Sequence, residues 1–266
     1  MGQPFLIDNR GGANTIIGAE IMAKANPDGL TLLVAPQNLL CINPHVYRKL
    51  PYDVKRDFAP VAMLIEYNYV MVARPSLAQK TVPELIAYAK ANPGKLSHGT
   101  TGEGSSGHVA QLLLEQMAGV KINHIPYKGN APMIADLMGG SLDIAMLGYA
   151  PIQGQIQAGK LRLIAAAAEK RMADLPDLPT VAEAGYAGFT SGTWFSFVTR
   201  AGTPASIITR LNTETNKAMR SNEFVTAIAP QKAFIHNGSP DDLAKKIAFE
   251  SGRWEKVTKA VGLMFD

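Results

Sequence analysis

Short apolar runs alternate with stretches of helical periodicity along most of this sequence, and Pro or Gly residues stop many of the helical stretches. Residues 5–7, 30–35, 61–65, 69–73, 142–147, 161–167 and 194–198 read as strands. Residues 16–25 carry Ile17, Ile21 and Ala25 on one face and end at Asn26-Pro27-Asp28-Gly29, as an amphipathic helix does. The opening is therefore β-α-β, which favours a parallel sheet with right-handed crossovers. Thr81-Val82-Pro83-Glu84 is a capping box with proline in the first turn, and its helix stops at Asn92-Pro93-Gly94. A second capping box, Thr180-Val181-Ala182-Glu183, reads as another helix start. Asn130 caps a helix over 131–138, residues 151–158 form one more, and Thr203-Pro204 and Ser239-Pro240 open the last two. A turn at Asp8-Asn9-Arg10-Gly11-Gly12 and a short tail, Val261-Gly262-Leu263, complete the pass.

The middle block has its own strand–helix alternation, and two extended segments, 69–74 and 192–200, flank it. The division expected is a first lobe of residues 1–74 and 195–266 and a second lobe of 75–194. Two chain crossings between α/β lobes make a cleft and a hinge. At 266 residues there is ample chain for a large core.

The most suggestive chemistry is the run from His98 to His108, which leads into the apolar periodic stretch 109–117. A Gly/Ser/Thr loop that opens a helix presents unpaired backbone N–H groups and the positive end of the helix dipole at one place, and such a place binds anions. Thr100, Thr101, Ser105 and Ser106 add hydroxyls, while Gly102 and Gly104 permit close backbone approach. Gly102, Gly104 and Gly107 match GxGxxG formally. As a dinucleotide fingerprint the match fails, because residues 95–99 are too polar for a central buried strand and no acidic residue ends the next strand. His108 reads equally as a hydrogen-bond donor to a carboxylate and as a structural histidine. A hydrolase would need a nucleophile elbow, and two residues after Ser106 stands His108 rather than glycine. Asp136 and Asp143 are the acids a triad would draw on, with nothing in the spacing to favour it. Residues 36–43 read as a polar loop at the carboxyl end of a strand, which brings in Gln37 and Asn38; Tyr149 follows the strand ending at Leu147.

Other classes fall away. Five scattered histidines and one cysteine give no metal site and no internal disulfide, and Cys41 reads as a small buried residue. A net charge of +4 is too small and too dispersed for nucleic acid. No segment has the apolar length of a membrane helix, and no signal peptide is visible before residues 5–7. Neither a cofactor nor catalysis is expected.

A series of ordered motifs carries a resemblance. They are Asp8-Asn9-Arg10, Ile17-Gly18-Ala19-Glu20, Pro27-Asp28-Gly29-Leu30-Thr31-Leu32-Leu33, Ile42-Asn43-Pro44 and Leu50-Pro51-Tyr52-Asp53. Further along come Asp57-Phe58-Ala59-Pro60-Val61, Pro126-Tyr127-Lys128-Gly129, Ala158-Gly159-Lys160-Leu161-Arg162, Leu178-Pro179-Thr180-Val181-Ala182-Glu183-Ala184-Gly185 and Ala201-Gly202-Thr203-Pro204. With these the chain resembles, from Gln3 to Asp266, the Bug-type solute receptors of tripartite tricarboxylate transport systems. The resemblance implies a two-lobed periplasmic-binding-protein-like α/β fold of type II. Each lobe would be a mostly parallel sheet flanked by helices, with a ligand cleft between the lobes. It implies a periplasmic, monomeric, non-catalytic receptor that holds a small organic acid and passes it to membrane transporter subunits.

The loop 100–108 matches the family's second-lobe carboxylate loop. The family has a secretion signal, a strand, a glycine-rich loop and a helix ahead of the position of Gln3, so the first lobe is expected to be N-terminally incomplete. Ligand contact is then expected from Gln37, Asn38, Thr100, Thr101, Gly102, Gly104, Ser105, Ser106, His108 and Tyr149. The family also has two glycines where this chain has Asn14-Thr15, and Phe-Asp-Asn near Leu147-Gly148-Tyr149. Exchange of an acid for a phenol there disfavours an amino-group ligand and favours an aromatic or uncharged-tail carboxylate. The alternatives are a hydrolase-like enzyme using His108 and a truncated fragment that does not bind.

Overall fold

A computed structural model describes residues 4–10, 12–260 and 262–265. Gly11 of the expected turn and Val261 of the expected tail lie outside the described residues. In chain order the elements are α1 (Ile16–Ala23), β1 (Leu33–Pro36), a π-helical stretch (Asn38–Ile42), α2 (Asn43–Val46), α3 (Val54–Asp57), β2 (Phe58–Asn68) and β3 (Val70–Ala73). Next come α4 (Val82–Ala91), β4 (Ser97–Thr100), α5 (Ser106–Ala118), β5 (Asn123–Pro126), α6 (Asn130–Gly139), β6 (Ile144–Leu147), α7 (Gln153–Gln157) and β7 (Arg162–Ala166). The chain finishes with β8 (Gly192–Arg200), α8 (Ala205–Met219), α9 (Asn222–Ile228), β9 (Phe234–Ile235) and α10 (Pro240–Ala260).

Two compact units result. The first holds Met1–Glu66, Trp194–Ala229 and Phe234–Asp266, and the second holds Tyr67–Thr193 and Pro230–Ala233. β3 belongs to the second.

The second unit carries a five-stranded sheet in the order β5-β4-β6-β3-β7. Side chains of β3 and β6 alternate faces, as the two-residue strand period requires. Met71, Ala73, Ile144 and Met146 join the core under α4 and α5, whereas Val70, Val72, Ala145 and Leu147 join the core under α6 and α7. The capping box forms at Thr81 and Glu84, with proline in the first turn of α4. At Thr180 and Glu183 the same reciprocal bonds form, but a turn follows instead of a helix. Asn130 lies inside α6; the cap position is Gly129, with no side-chain cap.

The first unit has the sheet order β1-β8-β2-β9. Val61, Ala62 and Leu211 form its core with Leu32, Phe197 and Ile207 packed against them. Cys41 is buried and its Sγ points to the carbonyl of Ile247 at 3.6 Å, the inert packing role expected of it.

Several expectations are corrected. The sheets are not mostly parallel. β1 runs antiparallel to β8, and β2 antiparallel to β9. β4 is parallel to β5 and β6, but β3 runs against both β6 and β7. The reason is the path of the chain. β3 follows β2 with only Tyr69 between them, and it enters the sheet beside Leu147, at the end where β6 finishes.

Residues 5–7 form no strand. Phe5, Leu6 and Ile7 are exposed, with no ladder partner among the described residues, and apolarity without a paired neighbour does not make a strand. On α1 the buried residues are Ala19 and Met22, and the Ile17 and Ile21 side faces out.

Residues 36–43 are not a loop. Asn38–Ile42 is a fully buried π-helical stretch, because its polar side chains find partners inside the unit. Ser97–Thr100 is a central strand despite its polarity. Gly99 makes this possible, since a Cβ there would sit 2.4 Å from Leu142 and 2.9 Å from Met133.

Candidate functional site

In the second unit, β4 delivers the chain at Thr100 into a loop whose turns need glycine. Gly102 has φ 122° and Gly104 φ 71°, conformations that a side chain disfavours. Ser105 then caps α5, its Oγ accepting the N–H of His108 at 3.3 Å. Helix geometry leaves the first N–H groups without intrahelical acceptors. That of Ser105 goes to the Gly102 carbonyl and that of His108 to Ser105. Those of Ser106 and Gly107 remain at the positive end of the thirteen-residue helix, with no acceptor among the described residues. Gly107 seats this turn on β6, because a Cβ there would lie 3.3 Å from the Met146 carbonyl.

Beneath the loop lie three imidazoles. The register of β4 and β5 pairs His98 with His124, and the His108 ring stacks on that of His124 with centroids 3.8 Å apart and planes 7° apart. Burial pushes His98 and His108 down to about 3, and the neighbouring His124 adds to both shifts. Burial also lowers His124. All three are therefore neutral at pH 7. The N–H of Gly104 donates to His108 Nδ1 at 3.2 Å, which fixes the ring proton on Nε2. Thr100 Oγ1 lies 2.6 Å from His124 Nε2, 3.2 Å from the Gly102 carbonyl, and accepts the Gly102 N–H. Its hydroxyl thus braces the loop from within.

Of the residues expected at this site, the structure brings together Thr100, Thr101, Gly102, Gly104, Ser105, Ser106 and His108. Thr101 is exposed, and the others line or support the helix start. Ser106 and Thr193 hydrogen-bond the Tyr69 phenol, which burial pushes up. Tyr67 packs its ring on Gly148, where a Cβ would meet ring carbon Cε2 at 2.7 Å. Tyr149 lies at the end of β6, buried in the core under α6 and α7, with Lys232 Nζ 5.4 Å from its ring centroid.

Tyr67, Tyr69, His124 and Lys232 were not legible as site residues. The Tyr-Asn-Tyr alternation before β3 was the available signal for the first two, and strand register alone brings in His124.

Gln37 and Asn38 belong to the first unit, where they are buried. Gln37 Nε2 donates to Glu250 at 3.0 Å, and Gln37 Oε1 has no partner. Asn38 Nδ2 donates to Asn14 Oδ1 at 2.9 Å, and Asn14 Nδ2 donates to Asn43 Oδ1 at 2.8 Å. Ala13, Asn14 and Thr15 have φ of 45°, 49° and 71°, three consecutive non-glycine residues in left-handed conformations. The glycines expected at positions 14 and 15 by resemblance would meet this backbone without strain.

The geometry gives no support to a hydrolase. Asp136 accepts the Tyr127 hydroxyl at 2.8 Å, and Asp143 pairs with Arg74 at 2.8 Å and accepts from Ser97, so both acids are engaged elsewhere. Among the described residues no cluster of His, Cys, Asp or Glu is arranged to hold a metal ion, and no helix is long and apolar enough to cross a membrane.

Known proteins resemble this chain along nearly its whole length. Protein BugT of Bordetella pertussis is 35% identical over 263 residues, covering 98% of this chain and 81% of its own. Among solved structures, that of R. palustris Rpa4515 with adipate superposes with a TM-score of 0.93 at 35% identity, covering 99% of this chain and 89% of that one. MatC from Rhodopseudomonas palustris, with bound malate, gives 0.89 at 30% identity, covering 96% and 88%. Residues 1–263 match the tripartite tricarboxylate transporter family receptor, and with two α/β units of this topology the chain belongs to that family of Bug-type solute-binding receptors.

Proposed function

We propose that this protein is a periplasmic receptor that captures a small organic carboxylate for the membrane subunits of a tripartite transporter and carries out no chemistry on it. The observation that carries the reading is the start of α5. Two backbone N–H groups and the helix dipole converge there, over imidazoles held neutral by burial. Neutral donors suit reversible capture of an anion, because they hold it without the cost of stripping water from an opposing charge. Adipate and malate in the similar receptors agree with such a ligand.

The test removes one donor and leaves the helix. Ser106 is the first residue of α5, where proline is tolerated, and Ser105 at φ −65° and ψ 157° has the extended backbone that a following proline requires. Ser106→Pro deletes the N–H together with the hydroxyl, and Ser106→Ala deletes the hydroxyl alone. Calorimetric titration with a panel of carboxylates is expected to show saturable binding by the wild type and at least about tenfold weaker binding by Ser106→Pro than by Ser106→Ala, the worth of one charge-assisted bond. Equal affinities in the two variants, or turnover of any panel member, refute the reading.

A further inference from the structure

The segment Pro230–Ala233 belongs to the second unit although the residues on either side of it belong to the first. Within it Lys232 adopts φ 50°, a left-handed backbone that lysine disfavours. That backbone carries its ammonium over the Tyr149 ring, 5.4 Å from the centroid and within cation–π range. The Lys232 side chain is only 21% accessible, so the charge has lost much of its water. Its carboxylate partner, Asp174, stands at 4.0 Å, the outer limit of an ion pair, and is itself 59% exposed. A half-buried ammonium held this loosely has positive charge to spare. Lys128 and Lys170, which also follow strands of this sheet, point into solvent.

The position of Lys232 matters as much as its charge. β4 and β6 are parallel, with His98 beside Ile144 and Gly99 beside Ala145, so both strands finish at the same end of the sheet. The first turn of α5 rests on Met146 through Gly107, and Tyr149 lies three residues beyond Met146. The free N–H groups of α5 and the Lys232 ammonium therefore both gather at the carboxyl end of β6. Gly148 lies between Met146 and Tyr149 in the chain, bare of side chain and covered by the Tyr67 ring.

We propose that Lys232 is a specificity-determining residue that reads a second carboxylate. The ligand is then a short-chain dianionic acid, one carboxylate on the Ser106 and Gly107 N–H groups, the other on Lys232, its carbon chain passing over Gly148. This rests on the carboxylate reading of the α5 start given above. It replaces the uncharged tail expected from Tyr149 alone, because the phenol ring carries a cation.

The test is calorimetric titration of the 266-residue chain with adipate and hexanoate, six-carbon acids that differ by one carboxylate. The wild type is expected to prefer adipate by about tenfold or more. Lys232→Met, which still covers the Tyr149 ring, should lose that preference through weaker adipate binding alone. Asp174→Asn, an exposed substitution that removes the competing acid, should tighten adipate and leave hexanoate unchanged. An adipate-to-hexanoate ratio that survives Lys232→Met, or equal weakening of both acids, overturns the assignment. The two readings fail differently. If hexanoate binding responds to Ser106→Pro while the ratio ignores Lys232→Met and Asp174→Asn, only the Lys232 assignment falls. If the wild type binds neither acid, both fall.

Discussion

Acidification should loosen the second unit between pH 7 and pH 5, and its buried histidines set how much. His98 and His108 are held down to about 3, against an ordinary value of 6.5. The native state keeps both neutral, while the unfolded chain takes up protons below pH 6.5. A lowered folded value means that the full stability is present above 6.5 and is lost as pH falls from there towards 3. Each group costs about 1.4 kcal/mol per pH unit in that window, so at pH 5 each costs about 2 kcal/mol and the two together about 4 kcal/mol. The figure is the same wherever below about 4.5 the folded value lies. His124 acts in the same direction. Against a typical unfolding free energy of about 5–15 kcal/mol this is a large share. Carboxylates titrate lower, so the window between pH 5 and 7 isolates the histidines. The assay is urea unfolding at pH 5.0, 5.5, 6.0 and 7.0. Hydrogen exchange of peptides from β4 and α5 serves as the readout for this unit, because both tryptophans, Trp194 and Trp254, lie in the other. His108→Gln should remove about half of the pH dependence. A wild-type stability constant to within about 0.5 kcal/mol over this range, or a slope unaltered in His108→Gln, refutes the argument.

Three further outcomes follow from the geometry. Asp57 accepts from both nitrogens of the Arg56 fork and from the Asp53 N–H, with Arg200 at 3.3 Å, and these hold it down to about 2. Asp57→Asn should cost about 1–2 kcal/mol at pH 7, discounted because Arg56 is largely exposed, and in thermal melts the deficit should vanish as pH falls from 3.8 through 2. Gly148→Ala should drive the Tyr67 ring off its seat and weaken carboxylate binding about tenfold, for a stability loss of about 1–2 kcal/mol; titration calorimetry beside a melting curve separates the two effects. Asn14→Ala should cost about 1–3 kcal/mol by stranding Asn38 and Asn43, and Asn14→Gly about 1 kcal/mol less, because glycine accepts φ 49°. Tryptophan fluorescence during urea unfolding reports this unit, and equal losses in the two variants would dismiss the backbone-strain argument.

Where the sequence could be read and where it could not follow from one distinction. Elements whose residues act on their own neighbours were legible. Thr81 and Glu84 cap their own helix, and the apolar runs of β6 and β7 fill both faces of a central sheet. Elements that depend on remote partners were not. Residues 5–7 look like a strand, but a strand exists only with a ladder beside it. Gln37, Asn38 and Asn43 look like a loop because their polarity is visible, whereas Glu250 and Asn14, which absorb it, stand elsewhere in the chain. Ser97–Thr100 looks too polar for a sheet interior. Its burial depends on a missing Cβ at Gly99 and on an uncharged His98, and neither shows in a hydropathy pattern.

The same distinction orders the site. The α5 start was legible because backbone N–H groups do its work, and the glycines and serines that free a backbone sit where the work is done. Such a site is blunt: any carboxylate satisfies two N–H groups and a dipole, and the imidazoles beneath contribute no charge at neutral pH. Discrimination among acids must therefore come from side chains that the fold brings in from a distance. Tyr67 arrives from the strand before β3, and Lys232 from a four-residue segment set among residues of the other unit. Two receptors of this fold with the same α5 loop should accordingly differ in ligand when they differ at the positions of Tyr67, Gly148 and Lys232. Exchanging those three residues between such receptors should transfer preference between acids, whereas exchanging the loop itself should change affinity for all of them together.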